Sequence, residues 1–448
     1  MGARRGRWPT EDAPRVIVIG AGFGGLAAVR ELHRSGARVE LIDKNIYSTF
    51  QPLLYQVATG GLNPGDVAYP ARAFAGKRKA RFRHGELDHI DAAAQQITLT
   101  DGAVLDYDYL ILATGISAAY YGIPGAAEYT LGLYTRRDAI ALRDHIMARL
   151  EQLDIEGPGK SVTFTVVGGG ATGVELAGAL AELRTALNAF FPDLDEEDVH
   201  IRLVEMAPVL LAPFRPSLQS YAHAQLRRRG VEVLLSTKIR EIGPDRVVLE
   251  SGEELPSDVT VWAAGVSAAD AVAHWGLPQG RGGRILVGPD LRVAGQDRIF
   301  AVGDVALIED QPLPQVATPA IQMGRYAGAQ IMRAMKGDPP GAPFRYHDKG
   351  IMATIGRRSA VVELAQGPRF RGTLAWLAWL GLHLVMLLGG RNRLSALLNL
   401  SYRYLAWGHG GAVIVGDDPP AMAPGGTPEQ VPAAAAVPQQ LSRPGVPR

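Results

Sequence analysis

The chain of 448 residues contains no cysteine. Without a thiol it forms no disulfide bond, binds no metal through thiolates and has no redox relay based on sulfur. Enzymes that reduce disulfides or oxidise sulfide need reactive cysteines, so the sequence excludes both classes. The absence of cysteine narrows the range of possible functions more than any single motif does.

The chain also lacks a strong excess of charge of either sign. Its 46 lysines and arginines and its 45 aspartates and glutamates leave a net charge of +1. This balance argues against a surface that binds nucleic acid through bulk charge, and we expect no nucleic-acid partner. Residues 1–14 have no apolar core of the kind found in secretory signals. The length is sufficient for two or three domains with substantial cores.

Glycine is abundant, with 53 residues, and it forms one pattern twice. Each copy follows an apolar run typical of a buried strand and precedes a stretch typical of a helix. A G-x-G-x-x-G loop in this context brings a pyrophosphate against a helix N-terminus. We therefore predict two dinucleotide sites, with an ordinary glycine-rich turn as the alternative at each. The glycines concerned are Gly20, Gly22 and Gly25 in the first loop and Gly168, Gly170 and Gly173 in the second.

An acidic residue ends the strand that follows each loop. Asp43 closes the predicted strand 37–42, and Glu205 closes the predicted strand 200–204. A carboxylate at this position accepts a hydrogen bond from a ribose 2′-hydroxyl. In the second copy its charge would repel the 2′-phosphate of NADPH, which favours NADH. The alternative for Glu205 is a surface carboxylate at the end of a strand.

Three further predicted strands end in small or acidic residues. Residues 109–115 end in Thr114 and Gly115, residues 259–265 end in Ala-Ala-Gly, and residues 299–304 end in Gly-Asp at Asp304. Small residues let the backbone pass close to a bound nucleotide. The alternative for Asp304 is a helix N-cap.

These motifs predict an α/β fold with two Rossmann-like dinucleotide-binding domains, the second inserted in the first, and a C-terminal membrane-associating helical segment. Glycine- and proline-rich linkers at 156–159 and 336–341 support the boundaries. The tail is rich in proline, alanine, glycine and glutamine and is expected to be disordered. The predicted segments are 14–155 and 289–344 for the first domain, 156–288 for the second, 345–415 for the C-terminal segment and 416–448 for the tail.

Together these features resemble the two-dinucleotide-domain flavoproteins, and more closely the type II NADH:quinone oxidoreductases. The resemblance implies that the first loop binds FAD and the second binds NADH. It also implies that a hydride passes from NADH to FAD and two electrons pass to a membrane quinone without proton pumping. The matching stretches are 50–60, 168–180, 303–304, 319–326 and 348–356.

The resemblance implies roles for individual residues. Glu175 is expected where nicotinamide, flavin and quinone meet, with a positioning or proton-handling role; a favourable interaction with its own helix dipole is the alternative. Gln51 is expected beside the isoalloxazine ring, unless its loop belongs to the core.

The family usually has two glutamines four residues apart where this chain has Thr318 and Gln322. Thr318 is expected to cap a helix that begins at Pro319, and Gln322 to border the quinone. Lys349 is expected to pair with Glu175 or a reduced flavin, or else to be a solvated surface lysine.

Residues 372–390 carry no charge over 19 positions and are flanked by arginines on both sides. Trp376 and Trp379 share a helical face, and a second, amphipathic helix is predicted to extend to Trp407. We expect this pair of helices to dock on the cytoplasmic face of the cell membrane, with the tryptophans and arginines in the headgroup layer. A membrane-spanning helix and a buried helix of a homodimer are the alternatives.

The leading hypothesis is therefore an FAD-dependent NADH:quinone oxidoreductase. One rival is a soluble NADH oxidase or a reductase of a protein acceptor, which the apolar run at 372–390 argues against. The other is a redox-sensing protein that binds FAD and NADH without catalysis.

Overall fold

The computed structural model describes residues 9–189, 191–406 and 413–416. Two parallel sheets, each built around a glycine loop, form its frame. Strands and helices are numbered along the chain. The first sheet contains β1 (Arg15–Ile19), β2 (Arg38–Asp43), β5 (Arg81–His84), β9 (Tyr109–Leu112) and β21 (Ile299–Ala301).

The order of strands in the first sheet is β21-β9-β1-β2-β5, and every pair is parallel. Its central strand is apolar and buried on both faces, as a parallel sheet covered by helices requires. Helix α1 (Phe23–Leu32) follows the first glycine loop and packs against α8 (Ala317–Met335). The two helices touch closely, since a Cβ added to Gly324 would lie 2.1 Å from the carbonyl oxygen of Gly24.

The second sheet repeats this arrangement in the order β11-β18-β12-β13-β14, again all parallel. Its helices are α5 (Arg136–Glu156), α6 (Ala171–Thr185) and α7 (Pro216–Arg228). Helix α6 follows the second glycine loop, as α1 follows the first. The strands are β11 (Leu131–Gly132), β12 (Val162–Val167), β13 (Val199–Val204), β14 (Val231–Leu234) and β18 (Val259–Trp262).

Shorter helices and strands lie outside the two parallel sheets. The remaining short helices are α2 (Leu54–Ala58), α3 (Ala71–Gly76) and α4 (Ala126–Tyr129). The small sheets and hairpins are formed by β3 (Tyr47–Thr49), β4 (Ala68–Pro70), β6 (Leu87–Asp91), β7 (Gln96–Leu99), β8 (Val104–Asp106), β10 (Ser117–Ala118), β15 (Ile239–Ile242), β16 (Arg246–Leu249), β17 (Glu254–Pro256), β19 (Val266–Ser267), β20 (Ile285–Val287), β22 (Ala306–Ile308), β23 (Ile351–Gly356), β24 (Ser359–Glu363) and β25 (Arg369–Arg371).

The sheets divide the chain at different residues from the predicted boundaries at 156 and 288. Strand β11 pairs with β18 of the second sheet, so that unit begins before residue 156. Trp275 is buried in the core of the first sheet, and β20 pairs with β22, so the chain returns to the first unit before residue 289. The glycine and proline at 157–158 mark a loop between α5 and β12 within one unit, and a loop of this composition does not by itself indicate a domain boundary.

The C-terminal segment ends in two helices, α9 (Thr373–Met386) and α10 (Gly390–Ala406). The apolar run at 372–390 is therefore interrupted, because the helix stops before Gly389, which has a φ of +87°. No helix in the described ranges has the length and apolar content needed to cross a bilayer. Trp407 and residues 417–448 of the predicted tail lie outside the described residues.

The tryptophans of α9 point inward, which corrects their predicted place in the headgroup layer. Trp376 is 9% exposed and Trp379 is 2% exposed, and both belong to the core around the second sheet. Trp376 packs edge-on against Tyr404 of α10, with ring centroids 4.9 Å apart. The exposed apolar residues of the two helices are different ones: Leu374, Leu377, Leu382, Val385, Leu394, Leu397, Leu398 and Tyr402.

Candidate active site

The two glycine loops have the same backbone geometry. The first glycine of each adopts a positive φ, +105° at Gly20 and +111° at Gly168. A Cβ on the last glycine, Gly25 or Gly173, would lie 1.9 Å from the carbonyl oxygen of the first. Any side chain at these positions would collide with backbone, so both loops require glycine there.

The middle glycine of each loop faces open space. Gly22 is the N-cap of α1 and Gly170 is the N-cap of α6, and neither helix start receives a hydrogen bond from a capping side chain. A Cβ on either glycine would meet nothing within 4 Å. The N–H groups of both first turns are therefore accessible from a side free of side chains, as a bound pyrophosphate requires.

A carboxylate braces each loop from the end of the neighbouring strand. Asp43 accepts hydrogen bonds of 2.6 Å from the backbone N–H groups of Ala21 and Asn45. Glu205 accepts bonds of 2.5 and 2.6 Å from those of Gly169 and Ala207. Burial raises the pKa of Asp43, although these hydrogen bonds oppose the rise. Both predicted ribose-binding carboxylates are thus held at the edge of their loops.

The strand ends predicted to approach the nucleotides lie beside the loops. A Cβ on Gly20 would lie 2.3 Å from the carbonyl oxygen of Ala113, which precedes Thr114 and Gly115. In the second unit, a Cβ on Gly168 would lie 2.6 Å from the carbonyl oxygen of Ala263. The connections that follow these strands then pair with each other as β10 and β19, which joins the two units.

Asp304 lies where β21, α1 and α8 converge. It belongs to a short 3-10 helix, Gly303–Val305, whose N-cap is Val302, so Asp304 is not the N-cap itself. Burial raises its pKa to about 6, and the nearby Arg284 guanidinium limits the rise. A Cβ on Gly24 would lie 3.2 Å from Cγ2 of Val302, which shows how closely this strand end approaches the first loop.

Gln51 starts a short 3-10 helix, Gln51–Leu53, directly after the buried Phe50. Its Oε1 atom is buried and accepts no hydrogen bond within the described part of the chain. A buried carbonyl oxygen without a donor is costly, so a bound polar group would satisfy it. The ring of Phe50 packs edge-on against Phe23 of the first loop and against His383 of α9.

Glu175 lies in the second turn of α6, partly buried beneath α9. Its Oε1 atom accepts a hydrogen bond of 3.2 Å from the backbone N–H of Thr354, and the side chain of Trp379 donates a second bond. Burial outweighs these bonds and raises the pKa of Glu175 to about 8. At neutral pH this carboxyl group holds a proton.

Trp379, which was expected in the headgroup layer, faces Glu175 instead, and His383 packs beside it on α9. Their rings stack 4.0 Å apart at an angle of 26°, and Trp379 also packs on Tyr55. Burial lowers the pKa of His383 to about 4, so this imidazole is neutral. Their spacing of four residues showed that they share a helical face, but not that this face points toward Glu175.

Helix α8 begins at Ala317 with Val316 as N-cap, two residues before the predicted cap Thr318. The hydroxyl of Thr318 is 2.9 Å from that of Tyr346. Gln322 donates from Nε2 to the backbone carbonyl of His347 and accepts at Oε1 from its N–H, both at 2.9 Å. Both positions therefore hold segment 346–347 against α8.

Lys349 is exposed and makes no ion pair with Glu175. The structure therefore agrees with the solvated surface lysine that was the alternative, and a contact of Lys349 with a reduced flavin stays a prediction. The physical reason is that Glu175 is a largely desolvated, protonated group, whereas Lys349 remains in solvent beside the exposed Asp348.

This combination of two braced glycine loops, two strand-end carboxylates and a protonated carboxyl group defines an oxidoreductase with two dinucleotide sites. Residues 14–324 match the family model described as pyridine nucleotide-disulphide oxidoreductase. The absence of cysteine means that this chain lacks the disulfide in that description.

Curated relatives narrow the assignment. The chain is 37% identical to the type II NADH:quinone oxidoreductase Ndh of Mycobacterium tuberculosis, over 89% of this chain and 90% of that protein. It is 39% identical to NdhA of the same organism, over 88% and 86% of the two chains. A type II NADH:quinone oxidoreductase of Staphylococcus aureus is 31% identical over 78% of this chain and 90% of its own length. The protein belongs to the type II NADH:quinone oxidoreductases.

Solved structures support the fold. NDH2 from Plasmodium falciparum, solved in complex with NADH, superposes with a TM-score of 0.81 at 19% identity. That match covers 90% of this chain and 100% of the other. The sulfide:quinone oxidoreductase of Aquifex aeolicus superposes with a TM-score of 0.72 at 20% identity, over 89% of this chain and 96% of the other. The predicted α/β fold with two Rossmann-like sheets is confirmed.

Proposed function

We propose that this protein oxidises NADH and reduces a membrane quinone, with FAD as the cofactor between them and without proton pumping. The observation that carries the proposal is the pair of equivalent glycine loops, joined through β10 and β19 in one chain. Two dinucleotide sites in one protein serve the transfer of electrons between the two bound dinucleotides. The family supplies the identity of the final acceptor.

The first unit fits FAD. Gly20, Gly22 and Gly25 leave room for its pyrophosphate, and Asp43 is placed for the ribose. The unsatisfied Oε1 of Gln51 and the strand ends at Thr114–Gly115 and Asp304 border the space beyond the loop. FAD, when bound there, supplies the ring that accepts a hydride from NADH and passes two electrons to a quinone.

The second unit fits NADH. Gly168, Gly170 and Gly173 offer the helix N-terminus of α6 to the pyrophosphate. Glu205 presents a carboxylate where a 2′-phosphate would lie, so its charge repels NADPH. Its two bonds from backbone N–H groups hold the carboxylate in that position.

Glu175 is the group that we propose as the proton donor for quinone reduction. Quinone reduction to quinol consumes two protons, and a carboxyl group with a pKa of about 8 holds one at neutral pH. Trp379 and the N–H of Thr354 fix the orientation of this group, and the neutral ring of His383 stacks on Trp379. Helix α8 adds the positive end of its dipole near Gly303 and Ala320.

The membrane is proposed as the source of the quinone, and α9 and α10 as the elements that dock on its cytoplasmic face. Exposed apolar residues recur on α9 at 374, 377, 382 and 385, and on α10 at 394, 397, 398 and 402. This spacing puts each set on one face of its helix, as interfacial helices require. A homodimer stays a prediction.

Steady-state assays of the detergent-solubilised protein test the proposed activity. With NADH and a soluble quinone we expect turnover that scales with the FAD content of the preparation. Oxygen and a ferredoxin, offered separately, serve as the controls for the rival acceptors. Turnover with oxygen alone indicates an NADH oxidase, and binding of FAD and NADH without turnover indicates a redox sensor.

A further inference from the structure

A network of polar side chains runs through the core from α10 to the neighbourhood of the active site. Arg403 of α10 donates from Nη1 to Oε1 of Gln56 in α2 at 2.8 Å, and its Nη2 atom lies 3.5 Å from Oε2 of Glu182 in α6. The Nε2 atom of Gln56 then donates to the hydroxyl oxygens of Tyr55 and Tyr404, at 2.9 and 3.1 Å. The roles assigned above to FAD, NADH and the proton use none of these side chains.

The guanidinium group of Arg403 occupies a space that a glycine leaves open. A Cβ on Gly61 would lie 1.7 Å from Nη1 of Arg403 and 2.2 Å from Oε1 of Gln56. Gln56 is 2% exposed, and the side chains of Arg403 and Glu182 are 16% and 18% exposed. An ion pair this deep adds little net stability, because the cost of desolvation offsets the attraction between the charges. The pair is better explained by the orientation that it imposes on its neighbours.

The hydrogen-bonding capacity of arginine fixes the orientation of the Gln56 amide. A guanidinium group has donors and no acceptor, so the amide oxygen must face Arg403 and the amide nitrogen must face the two tyrosines. That nitrogen donates both of its hydrogens, so each tyrosine hydroxyl accepts, and its own hydrogen points elsewhere. Without Arg403, the amide would be free to turn over, and the tyrosine hydroxyls would donate to its oxygen.

The hydroxyl hydrogen of Tyr55 has no acceptor among the residues that the structure describes. Tyr55 is 4% exposed, and its ring packs edge-on against Trp379, whose indole donates to the carboxyl group of Glu175. Burial, Tyr404 and the two carboxyl groups of α6 raise the pKa of Tyr55 well above its usual value, so the hydroxyl keeps this hydrogen. A buried donor without a partner is costly, which indicates that an acceptor reaches it during the reaction.

We propose that Arg403 is a positioning residue that directs the hydroxyl hydrogen of Tyr55 toward Glu175. When Glu175 has released its proton to the quinone, this hydroxyl donates a hydrogen bond to the carboxylate. No hydrogen bond joins these two described side chains in the structure, and the contact forms when the carboxylate gains its charge and becomes a stronger acceptor. The proposal rests on the role of Glu175 proposed above and adds to Trp379 a second donor that stabilises the ionised form.

Infrared spectroscopy of the full-length holoenzyme across a pH series measures the ionisation of Glu175. The band of its protonated carboxyl group is identified by its absence in Glu175→Gln, so this readout does not depend on turnover. Tyr55→Phe keeps the ring against Trp379 and removes only the hydroxyl. We expect the midpoint of this band to rise by about one to two pH units in Tyr55→Phe, because the ionised form loses a hydrogen bond. An unshifted midpoint would overturn the proposal.

Arg403→Met tests the positioning role. It removes the donor that fixes the Gln56 amide and should raise the midpoint in the same direction, by no more than Tyr55→Phe does. The double variant should match Tyr55→Phe alone, because Arg403 acts through a hydroxyl that is already absent. Additive shifts would show that the charge of Arg403 acts on Glu175 directly and would overturn its positioning role. FAD absorbance shows that each variant is folded, and Tyr55→Phe by itself decides the role of the hydroxyl.

Tyr404→Phe is the matched control. Tyr404 accepts from the same nitrogen of Gln56, but its ring packs on Trp376 instead of Trp379. The loss of its hydroxyl should leave the midpoint unchanged. An equal rise in Tyr404→Phe and Tyr55→Phe would indicate a general loosening of the core and would contradict the proposal.

The rate of quinone reduction, measured over the same pH series, separates this proposal from the function on which it rests. If the infrared midpoints shift as expected and the rate falls at the same pH values, both are supported. If the midpoints shift but the rate shows no matching fall, the network orients Glu175 as proposed and the role of Glu175 as proton donor is wrong.

Discussion

Trp379 of α9 donates a hydrogen bond from its indole to the carboxyl group of Glu175 in α6. The two residues are far apart in sequence, and the contact links the C-terminal helices to the second dinucleotide unit. The bond favours the ionised carboxylate, whereas burial opposes ionisation and raises the pKa to about 8. Helix α9 therefore helps to set the pH at which Glu175 releases its proton.

Replacing Trp379 with phenylalanine should raise the pKa of Glu175 further, because the ionised form loses a donor. If the protonated acid supports quinone reduction, the rate in wild type falls above about pH 8. In Trp379→Phe this fall should move to higher pH. Stopped-flow reoxidation by quinone across a pH series measures the shift.

Trp376→Phe is the control for this experiment, since Trp376 is also buried but packs on Tyr404. Its pH profile should match that of wild type. An unshifted profile in Trp379→Phe would contradict the link between the two residues. Glu175→Gln should abolish the inflection altogether.

Glu175→Gln should also change the pH dependence of stability. A folded-state pKa raised from 4.5 to about 8 means that the contribution of Glu175 is fully present below about pH 4.5 and lost as the pH rises through about 8. Wild type loses this contribution above about pH 8, whereas the variant has none to lose. Between acid and alkaline pH, the free energy of unfolding of the variant should therefore rise by about 1–3 kcal/mol relative to that of wild type. Denaturant titrations at both ends of this range measure it, and parallel curves for the two proteins would refute the raised pKa.

Glu205→Gln should relax the preference for NADH over NADPH. The amide keeps an acceptor oxygen for the loop but removes the charge that repels a 2′-phosphate. We expect the ratio of kcat/KM values for the two nucleotides to change by a factor that corresponds to about 1–3 kcal/mol of transition-state free energy. Asp43→Asn, at the equivalent position of the first unit, should leave this ratio unchanged and weaken FAD retention instead. An unchanged ratio in Glu205→Gln means that the discrimination lies elsewhere.

Gln322→Ala should slow reoxidation of the reduced enzyme by quinone and leave its reduction by NADH almost intact. Gln322 holds the backbone of His347 against α8 through two hydrogen bonds, so its loss frees segment 346–347 on one side of the site. Stopped-flow absorbance separates the two half-reactions. Equal slowing of both phases would place Gln322 outside the quinone side of the site.

Local sequence patterns were sufficient to predict the two dinucleotide-binding units. The strands Arg15–Ile19 and Val162–Val167 coincide with the apolar runs that precede the two glycine loops, because an apolar run followed by a glycine loop leaves little freedom in where a buried strand ends. The predictions that Asp43 and Glu205 bind the riboses rest on the same repeat. These features depend on neighbours within one βαβ unit.

Local patterns could not predict contacts between residues that are far apart in the sequence. Helical spacing shows that Trp376 and Trp379 share a face, but only the packing shows that the face is buried. The Thr318 hydroxyl contacts Tyr346, so this residue does not act as the local cap that its position suggested. The pairing of β11 with β18 is a contact of the same kind, because it joins residues 131–132 to the second sheet across a long separation in sequence.

Membrane docking should depend on the exposed leucines of α9 and not on its tryptophans. Leu377 is 52% exposed and Leu374 is 66% exposed, and neither belongs to the core. Changing both to serine should weaken binding to phosphatidylcholine vesicles by about 2–4 kcal/mol, because their apolar surface no longer enters the bilayer. FAD content should stay at the wild-type level. Ile155→Ser, at a 78% exposed position on α5, is the control and should bind as wild type does. If the double variant still binds these vesicles with wild-type affinity, α9 does not contact the membrane and another surface must bring the enzyme to its quinone.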